Sequence, residues 1–249
     1  MENLIVANWK MNPVSLEEAK NIFEQIKNGV KDANAEVVIC PPFVYLAELK
    51  GLTLGAQDVF YEEKGAFTGE VSAEMLKNLG VEYVIIGHSE RRKYFEETDE
   101  VINEKIKKAL ADGLKVIFCI GENAQQREAG ETEMVLKNQL TVALEGISEL
   151  GENFTVAYEP VWAISSGDPY KTKELPTPEN VKKINNYIRN LLESMYSKET
   201  AENIRIIYGG SANAKNAKDY LDNANVQGFL VGGASLMPND FLQNVKSAE

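Results

Sequence analysis

Short apolar runs alternate with longer amphipathic segments from one end of the chain to the other. The short runs span four to six residues and predict eight β-strands, at 4–7, 36–40, 53–56, 83–86, 115–120, 155–158, 204–208 and 228–231. Apolar residues at helical spacing lie between them, most clearly at 15–27, 72–79, 99–110, 134–150 and 178–196. This alternation indicates parallel strands joined by right-handed crossovers.

Two of the predicted helices carry recognisable start signals. The segment Ser15-Leu16-Glu17-Glu18 has the form of a capping box, in which a serine and a glutamate each accept a backbone N–H of the other. The pair Thr177-Pro178 places a proline at the first helical position, where its missing N–H costs nothing.

The fifth apolar run, which contains Val116-Ile117-Phe118, is apolar at consecutive positions, as is typical of a strand covered on both faces. Eight such units in 249 residues fit a closed (β/α)8 barrel better than an open doubly wound sheet. We therefore expect one barrel domain over residues 1–249. No Gly-x-Gly-x-x-Gly motif follows the first run, which weakens a dinucleotide-binding interpretation.

Composition excludes some classes of function. The net charge of -12 argues against a nucleic-acid surface, where a basic stripe is expected. The first residues lack the features of a signal peptide and no window resembles a membrane span, so we expect a cytoplasmic protein without membrane contact. Cys40 and Cys119 end apolar runs and are interpreted as small buried side chains. With one histidine and no Cys-x-x-Cys, neither a metal nor a cofactor is expected.

The single histidine, His88, follows the fourth predicted strand and stands at the start of a helical segment. Helix N-termini present unpaired N–H groups and partial positive charge, which disfavours imidazolium and suits a neutral electrophile. The alternative is a histidine that is simply hydrogen-bonded in a core or loop.

Further polar residues and glycines follow other predicted strands. The active sites of (β/α)8 barrels lie at the carboxyl ends of the strands, so these residues are expected to converge at one mouth. They are Asn8, Lys10, Glu159, Ser211, Gly232 and Gly233.

Six segments in this order resemble the triosephosphate isomerase family, from the first predicted strand to the last. They are ANWKMN at 7–12, GAFTGE at 65–70, VIIGHSERR at 84–92, AYEPVWAI at 157–164, YGGS at 208–211 and LVGGASL at 230–236. The resemblance implies a cofactor-free isomerase of glycolysis and gluconeogenesis. Its reaction interconverts dihydroxyacetone phosphate and D-glyceraldehyde 3-phosphate by proton transfer through an enediolate.

The resemblance also implies roles for individual residues. Glu159 would be the base, and neutral His88 would be the electrophile that polarises the carbonyl and moves protons between the two oxygens. Lys10 would supply a cation for the enediolate and the phosphate, although a lysine after a strand is often merely solvated. Asn8 would orient substrate oxygens or cap a turn. Glu90 would pair with Lys10 or a substrate hydroxyl, or stabilise its helix through the dipole.

Main-chain N–H groups are expected to bind the phosphate. The glycine pairs after strands seven and eight allow the backbone to approach an anion, which assigns Ser211, Gly232 and Gly233 to this subsite. Ser165, in the loop after strand six, is expected to contribute a fourth N–H group.

That loop departs from the family pattern. The family usually has Trp-Ala-Ile-Gly-Thr-Gly, whereas here Ser165 replaces the first glycine, and the exit at 168–176 is several residues longer. Serine reaches positive φ at a cost of about 1 kcal/mol more than glycine. We expect a lid that still closes, with altered rates of opening and closing; the alternative for the longer exit is a harmless surface insertion.

The long third connection, from Asp58 to Glu70, bears on assembly. In the family this loop reaches the neighbouring subunit, so the resemblance implies a homodimer in which Thr68 supports the partner's site. The alternative is an ordinary exposed loop.

Two other functions were weighed. One is a different barrel isomerase or aldolase acting on a phosphorylated sugar, for which a Schiff-base lysine within a strand would be the mark. Lys115 stands at the start of a strand, the wrong end of the barrel. The other is a non-catalytic binding protein on the same fold, which would be expected to lack at least one catalytic group.

Overall fold

Eight parallel strands close into a barrel in the computed structural model, which describes residues 1–164, 175–213 and 215–248. Neighbouring strands pair in chain order, and β8 also pairs with β1. The strands are β1 (Leu4–Asn8), β2 (Glu36–Cys40), β3 (Thr53–Ala56), β4 (Val81–Ile86), β5 (Lys115–Ile120), β6 (Phe154–Tyr158), β7 (Arg205–Tyr208) and β8 (Gly228–Val231). The predicted (β/α)8 fold is confirmed, with strand bounds within two residues of those expected.

Helices cover the outside of the barrel. Those in the described residues are α1 (Leu16–Gly29), α2 (Phe43–Leu46), α3 (Ala73–Asn78), α4 (Ser89–Tyr94), α5 (Asp99–Ala111), α6 (Ala124–Glu128), α7 (Thr132–Ala143), α8 (Pro178–Met195), α9 (Lys198–Asn203), α10 (Ala217–Asn223) and α11 (Pro238–Lys246). None of these helices is long and apolar enough to cross a membrane.

One predicted helix is wrong at its end. The pattern placed it at 134–150, whereas α7 ends at Ala143. Gly146 lies just beyond with φ +73, a left-handed conformation that stops a helix. The apolar residues Ile147 and Leu150 still pack inward or close to the core, which is why their spacing resembled a continuing helix.

The structure agrees fully with one of the two predicted helix starts and only in part with the other. Pro178 occupies the first turn of α8 and Thr177 caps it by accepting the N–H of Asn180, as predicted. At α1 the hydroxyl of Ser15 accepts the N–H of Glu18 at 3.2 Å, but the structure gives no reciprocal bond from that glutamate. The predicted capping box is therefore a single N-cap.

Side chains alternate between the inside and the outside of the barrel along each strand. In β1, Leu4 and Val6 belong to the interior cluster, while Ile5 and Ala7 pack against the outer helices. Both cysteines lie in the interior cluster, with no exposed surface. The same alternation determines which of the residues that follow the apolar part of each strand face the barrel axis.

The mouth of the barrel follows from that alternation. Asn8 continues the inward row of Val6, and Glu159 continues the inward row of Ala157. Gly121, Gly209 and Gly232 continue the rows of Cys119, Ile207 and Leu230 in the same way. On these five strands the inward positions at the mouth are thus an amide, a carboxylate and three positions without side chains.

The opposite end of the barrel is closed by charged groups. Glu36 accepts a hydrogen bond from the Tyr83 hydroxyl, and its other oxygen lies 2.7 Å from Arg205 Nη1. Lys115 Nζ lies 3.3 Å from the same carboxylate, at the start of β5 as the sequence predicted. Lys115 is therefore far along its strand from the mouth.

Candidate active site

A cleft of about 650 Å³ opens at the carboxyl ends of the strands. Seven of the residues predicted from the sequence line it together: Asn8, Lys10, His88, Glu159, Ser211, Gly232 and Gly233. The expected convergence at one mouth is what the structure has.

The Glu159 carboxylate and the His88 imidazole form a buried pair in the cleft. Oε1 of Glu159 lies 3.2 Å from Nε2 of His88, and the two residues are 2 % and 5 % exposed. The other carboxylate oxygen accepts the backbone N–H of Ser89 at 3.3 Å. The carboxylate therefore rests against the first turn of α4, with both oxygens near hydrogen-bond donors.

His88 is bound to the start of α4 through one of its ring nitrogens. It is the N-cap of that helix, and its Nδ1 accepts the backbone N–H of Glu90 at 3.2 Å. A ring nitrogen that accepts a hydrogen bond carries no proton, so the proton of the neutral ring lies on Nε2, toward Glu159. The environment predicted from the strand-to-helix position is thus present in the geometry.

Lys10 lies between the acid–base pair and the glycines after β8. Its Nζ is 2.8 Å from Oε1 of Glu90, so of the interpretations of Glu90 the structure has the pairing with Lys10. A Cβ added to Gly232 would lie 3.3 Å from Cε of Lys10. The ammonium is therefore close to the backbone at which the sequence predicted a phosphate.

The backbone of Lys10 is strained and is held by two amides. Its φ is +54, a conformation that costs a non-glycine residue about 1–2 kcal/mol. Oδ1 of Asn8 accepts its N–H at 3.0 Å, and Nε2 of Gln57 donates to its C=O at 2.8 Å. These bonds fix a conformation that the chain would otherwise leave.

Unpaired N–H groups line the far side of the cleft. The backbone N–H groups of Ser211, Gly232 and Gly233 have no acceptor within the described parts of the chain. Ser235, which is fully buried, donates its hydroxyl to the C=O of Gly232 at 2.6 Å and so fixes that turn. Such converging N–H groups form an anion-binding concavity.

The loop after β5 packs against the backbone of Glu159. Gly121 packs so closely that an added Cβ would lie 1.7 Å from the C=O of Glu159. The carboxamide of Gln139 on α7 clamps this glycine, accepting its N–H at 2.9 Å and donating to its C=O at 3.2 Å.

A second carboxylate, Glu122, is buried below the start of the loop after β6. It accepts Nε1–H of Trp162 at 2.8 Å and the hydroxyl of Tyr158 at 3.1 Å. Burial raises the pKa of Glu122 above its usual value, an effect that these two hydrogen bonds partly offset. Glu122 thus anchors the short 3₁₀ turn Val161–Ala163 that follows Glu159.

Sequence reasoning missed several of these supporting residues. Gln57 and Glu122 each come within two residues of the end of a strand, β3 and β5. The rule that located Asn8 and Glu159 would have found them had it been applied to every strand. Gln139 lies on an outer helix, and nothing in its spacing indicates that it reaches the mouth.

Three predicted site residues are not among the described residues that line the cleft, and one of them is Glu90, which pairs with Lys10. Thr68 is exposed, outside the residues that line the cleft, so a contribution to a partner's site stays a prediction. Ser165 lies outside the described residues, as does most of the longer exit at 168–176, of which Leu175 and Pro176 are described.

Comparisons with known proteins agree with the geometry. The family model for triosephosphate isomerase matches residues 3–248. A triosephosphate isomerase of Alkaliphilus oremlandii is 48% identical, with 96% of each chain covered. Those of Thermoanaerobacter pseudethanolicus and Aquifex aeolicus are 46% and 44% identical, with at least 97% of each chain covered.

Proposed function

Because the chain belongs to the triosephosphate isomerase family and interconverts dihydroxyacetone phosphate and D-glyceraldehyde 3-phosphate, we propose that Glu159 is its base and His88 its electrophile. The observation that carries this proposal is the buried pair of a carboxylate and an imidazole whose proton lies on the side of the cleft. The reaction is a step of glycolysis and gluconeogenesis, which supports the predicted cytoplasmic location.

The proton transfer needs no group beyond this pair. The Glu159 carboxylate takes a proton from one carbon of the triose, and electrons of that C–H bond form the enediolate. His88 donates its Nε2–H hydrogen bond to the carbonyl oxygen on which negative charge develops. The protonated Glu159 then returns the proton to the adjacent carbon. His88 gives its Nε2 proton to the oxygen that was the carbonyl and takes the proton of the other oxygen, so that the hydroxyl and the carbonyl exchange places.

Substrate entry replaces the present partners of Glu159. In the structure this carboxylate lies beside Nε2 of His88 and accepts the N–H of Ser89. When the substrate oxygen takes the Nε2–H bond, Oε1 loses that neighbour and the carboxylate becomes free to reach carbon. The substrate thus displaces the Glu159 carboxylate from Nε2 of His88 when it binds.

Lys10 and Asn8 complete the reacting end of the site. The chain carries a net charge of -12, so an anionic triose phosphate needs locally positive potential. The Lys10 ammonium supplies it next to the glycines after β8. Asn8 holds the backbone of Lys10, and its buried amide also faces the cleft to orient substrate oxygens.

The phosphate binds at the unpaired N–H groups of Ser211, Gly232 and Gly233. Backbone donors suit a dianion because they are fixed by the fold and carry no proton that can be lost. Ser165 would add a fourth N–H from the loop after β6, as the sequence predicts.

The homodimer is supported by exposed apolar side chains on the loops after β1 to β4. Met11, Val14, Val44 and Phe95 are 90%, 92%, 77% and 66% exposed. Apolar residues concentrated on one part of a surface mark an interface. The third loop, from Asp58 to Glu70, lies between Val44 and Phe95 in the chain and carries Phe67, which is also exposed.

The variant Glu159→Asp tests the roles. Shortening the side chain retracts the carboxylate by one carbon–carbon bond, ~1.5 Å, and misplacement of about 1 Å can cost 10²-fold in rate. In a coupled assay of glyceraldehyde 3-phosphate isomerisation we expect kcat to fall at least 10²-fold, with a small change in KM. Glu152→Asp, on an exposed loop, is the matched control. Equal kcat values for the two variants would exclude Glu159 as the base.

A further inference from the structure

The loop after β7 is bound to α10 through two asparagine side chains. Asn216 Oδ1 accepts the backbone N–H of Asn213 at 2.7 Å, and its Nδ2 donates to the C=O of Ser211 at 3.2 Å. Asn213 Oδ1 in turn accepts the N–H of Lys215 at 2.9 Å. One carboxamide thus holds the loop at two points, with its donor on one and its acceptor on the other.

These bonds decide which group of Ser211 faces the cleft. Its hydroxyl donates to the C=O of Ala163 at 2.7 Å, and its C=O is taken by Asn216. With two of its three polar groups fixed, the residue cannot rotate without breaking a bond. The third group, the N–H, has no acceptor in the described parts of the chain and lies on the wall of the cleft.

Asn216 makes these bonds instead of capping its own helix. It occupies the N-cap position of α10, yet its side chain makes no capping bond to that helix. Asparagine is among the best N-cap residues because its oxygen satisfies a free N–H of the first turn. Here the same oxygen is directed back along the chain to the loop, so α10 loses its cap and the loop gains an anchor.

We propose that Asn216 is a positioning residue that orients the Ser211 N–H toward the phosphate of the substrate. The inference rests on the proposed function, because it assigns a support to the phosphate subsite of that same site. Asn216 is outside the lining of the cleft and touches no substrate. It acts through its bonds to Ser211 and Asn213, both of which line the cleft.

The test compares substrates with and without phosphate. In Asn216→Ala both bonds to the loop are lost, so inorganic phosphate should inhibit with a Ki about tenfold higher than in the parent chain. The value of kcat/KM for D-glyceraldehyde 3-phosphate should fall to a similar extent. That for D-glyceraldehyde, which has no phosphate, should stay within twofold. Asn216→Asp keeps the acceptor for Asn213 but places a negatively charged oxygen beside the C=O of Ser211 in place of the donor. Because this charge repels both that C=O and the phosphate, the variant should weaken phosphate inhibition at least as much.

Asn223→Ala is the matched control, since it removes an exposed asparagine from the same helix. The ratio of the two kcat/KM values does not depend on the amount of folded protein, so a partly unfolded variant still gives a result. An unchanged ratio together with an unchanged phosphate Ki would overturn the role of Asn216. A parent chain that leaves glyceraldehyde 3-phosphate unconverted would instead overturn the proposed function.

Discussion

The variant Gly121→Ala would place a methyl group against backbone at the mouth of the barrel, and the distance gives a quantitative prediction. The added Cβ would lie 1.7 Å from the C=O of Glu159, whereas real Cβ contacts essentially never fall under 3.0 Å. The two backbones must therefore separate by at least about 1.3 Å, the difference between those distances. The neighbour is a carbonyl oxygen, so no side-chain rotation relieves the clash.

Two costs follow from that separation. Overpacking of this kind destabilises proteins by about 1–3 kcal/mol or more. The shift also moves the backbone of the proposed base, and a displacement of about 1 Å at a reacting group can cost 10²-fold. We therefore expect kcat in the coupled assay to fall about 10²-fold or more, and the free energy of unfolding in urea to fall by at least ~1 kcal/mol.

Two further variants keep this reasoning testable. Gly151→Ala adds the same methyl group where its nearest neighbour would be 3.5 Å away, and it should behave like the parent chain. Gln139→Leu removes both bonds that clamp Gly121 without adding bulk there, and it should lower kcat with little change in KM. If Gly121→Ala kept kcat within threefold of the parent, the backbone contact would not position the base.

The remaining predictions concern stability and assembly. Glu96→Gly should raise the free energy of unfolding by about 0.5–1 kcal/mol, because the exposed Glu96 has φ +55; thermal or urea unfolding without that gain would contradict it. Burial alone would raise the pKa of Glu36, but hydrogen bonds from Tyr83 and Arg205 and the charges of Arg205 and Lys115 outweigh it and lower the pKa below 4.5. The stability that the Glu36 carboxylate adds is therefore present above pH 4.5 and lost as pH falls through its lowered pKa in the folded state. On acidification, the free energy of unfolding in urea should therefore fall less for Glu36→Gln than for the parent chain. Val44→Asp should shift sedimentation toward monomer, while Met134→Asp, at an exposed apolar position on α7, should not; identical profiles would count against the proposed interface.

Strand positions could be predicted from the sequence because parallel barrel strands are buried on both faces. A run such as Val116-Ile117-Phe118 contains no polar residue, so the limits of the strand are clear from the sequence. Strand β5 begins and ends where the pattern predicted. Helices on the outside bury one face only, so their ends depend on local turns. The end of α7 was missed because the apolar residues beyond Gly146 still contact the core.

The reacting side chains could be predicted for a related reason. Asn8, His88 and Glu159 come at or just after the ends of strands, and the barrel alone brings such positions together. The supports Gln139 and Asn216 could not, because neither residue lies at the end of a strand. Gln139 reaches Gly121 from an outer helix, and Asn216 acts on a C=O five residues earlier; neither contact leaves a pattern along the chain.

The glycines of the mouth connect the fold to the chemistry. Gly121, Gly209 and Gly232 continue inward rows of the barrel, where any side chain would point at the axis. At Gly209 a Cβ would lie 2.6 Å from Cγ of Glu159, and at Gly232 it would lie 3.3 Å from Cε of Lys10. The side chains of Glu159 and Lys10 therefore occupy space that the absent side chains of Gly209 and Gly232 leave, while Gly121 makes room for the backbone of Glu159. A barrel of the same strands with alanine at those positions would still bury its core, but it would displace the base and crowd the cation.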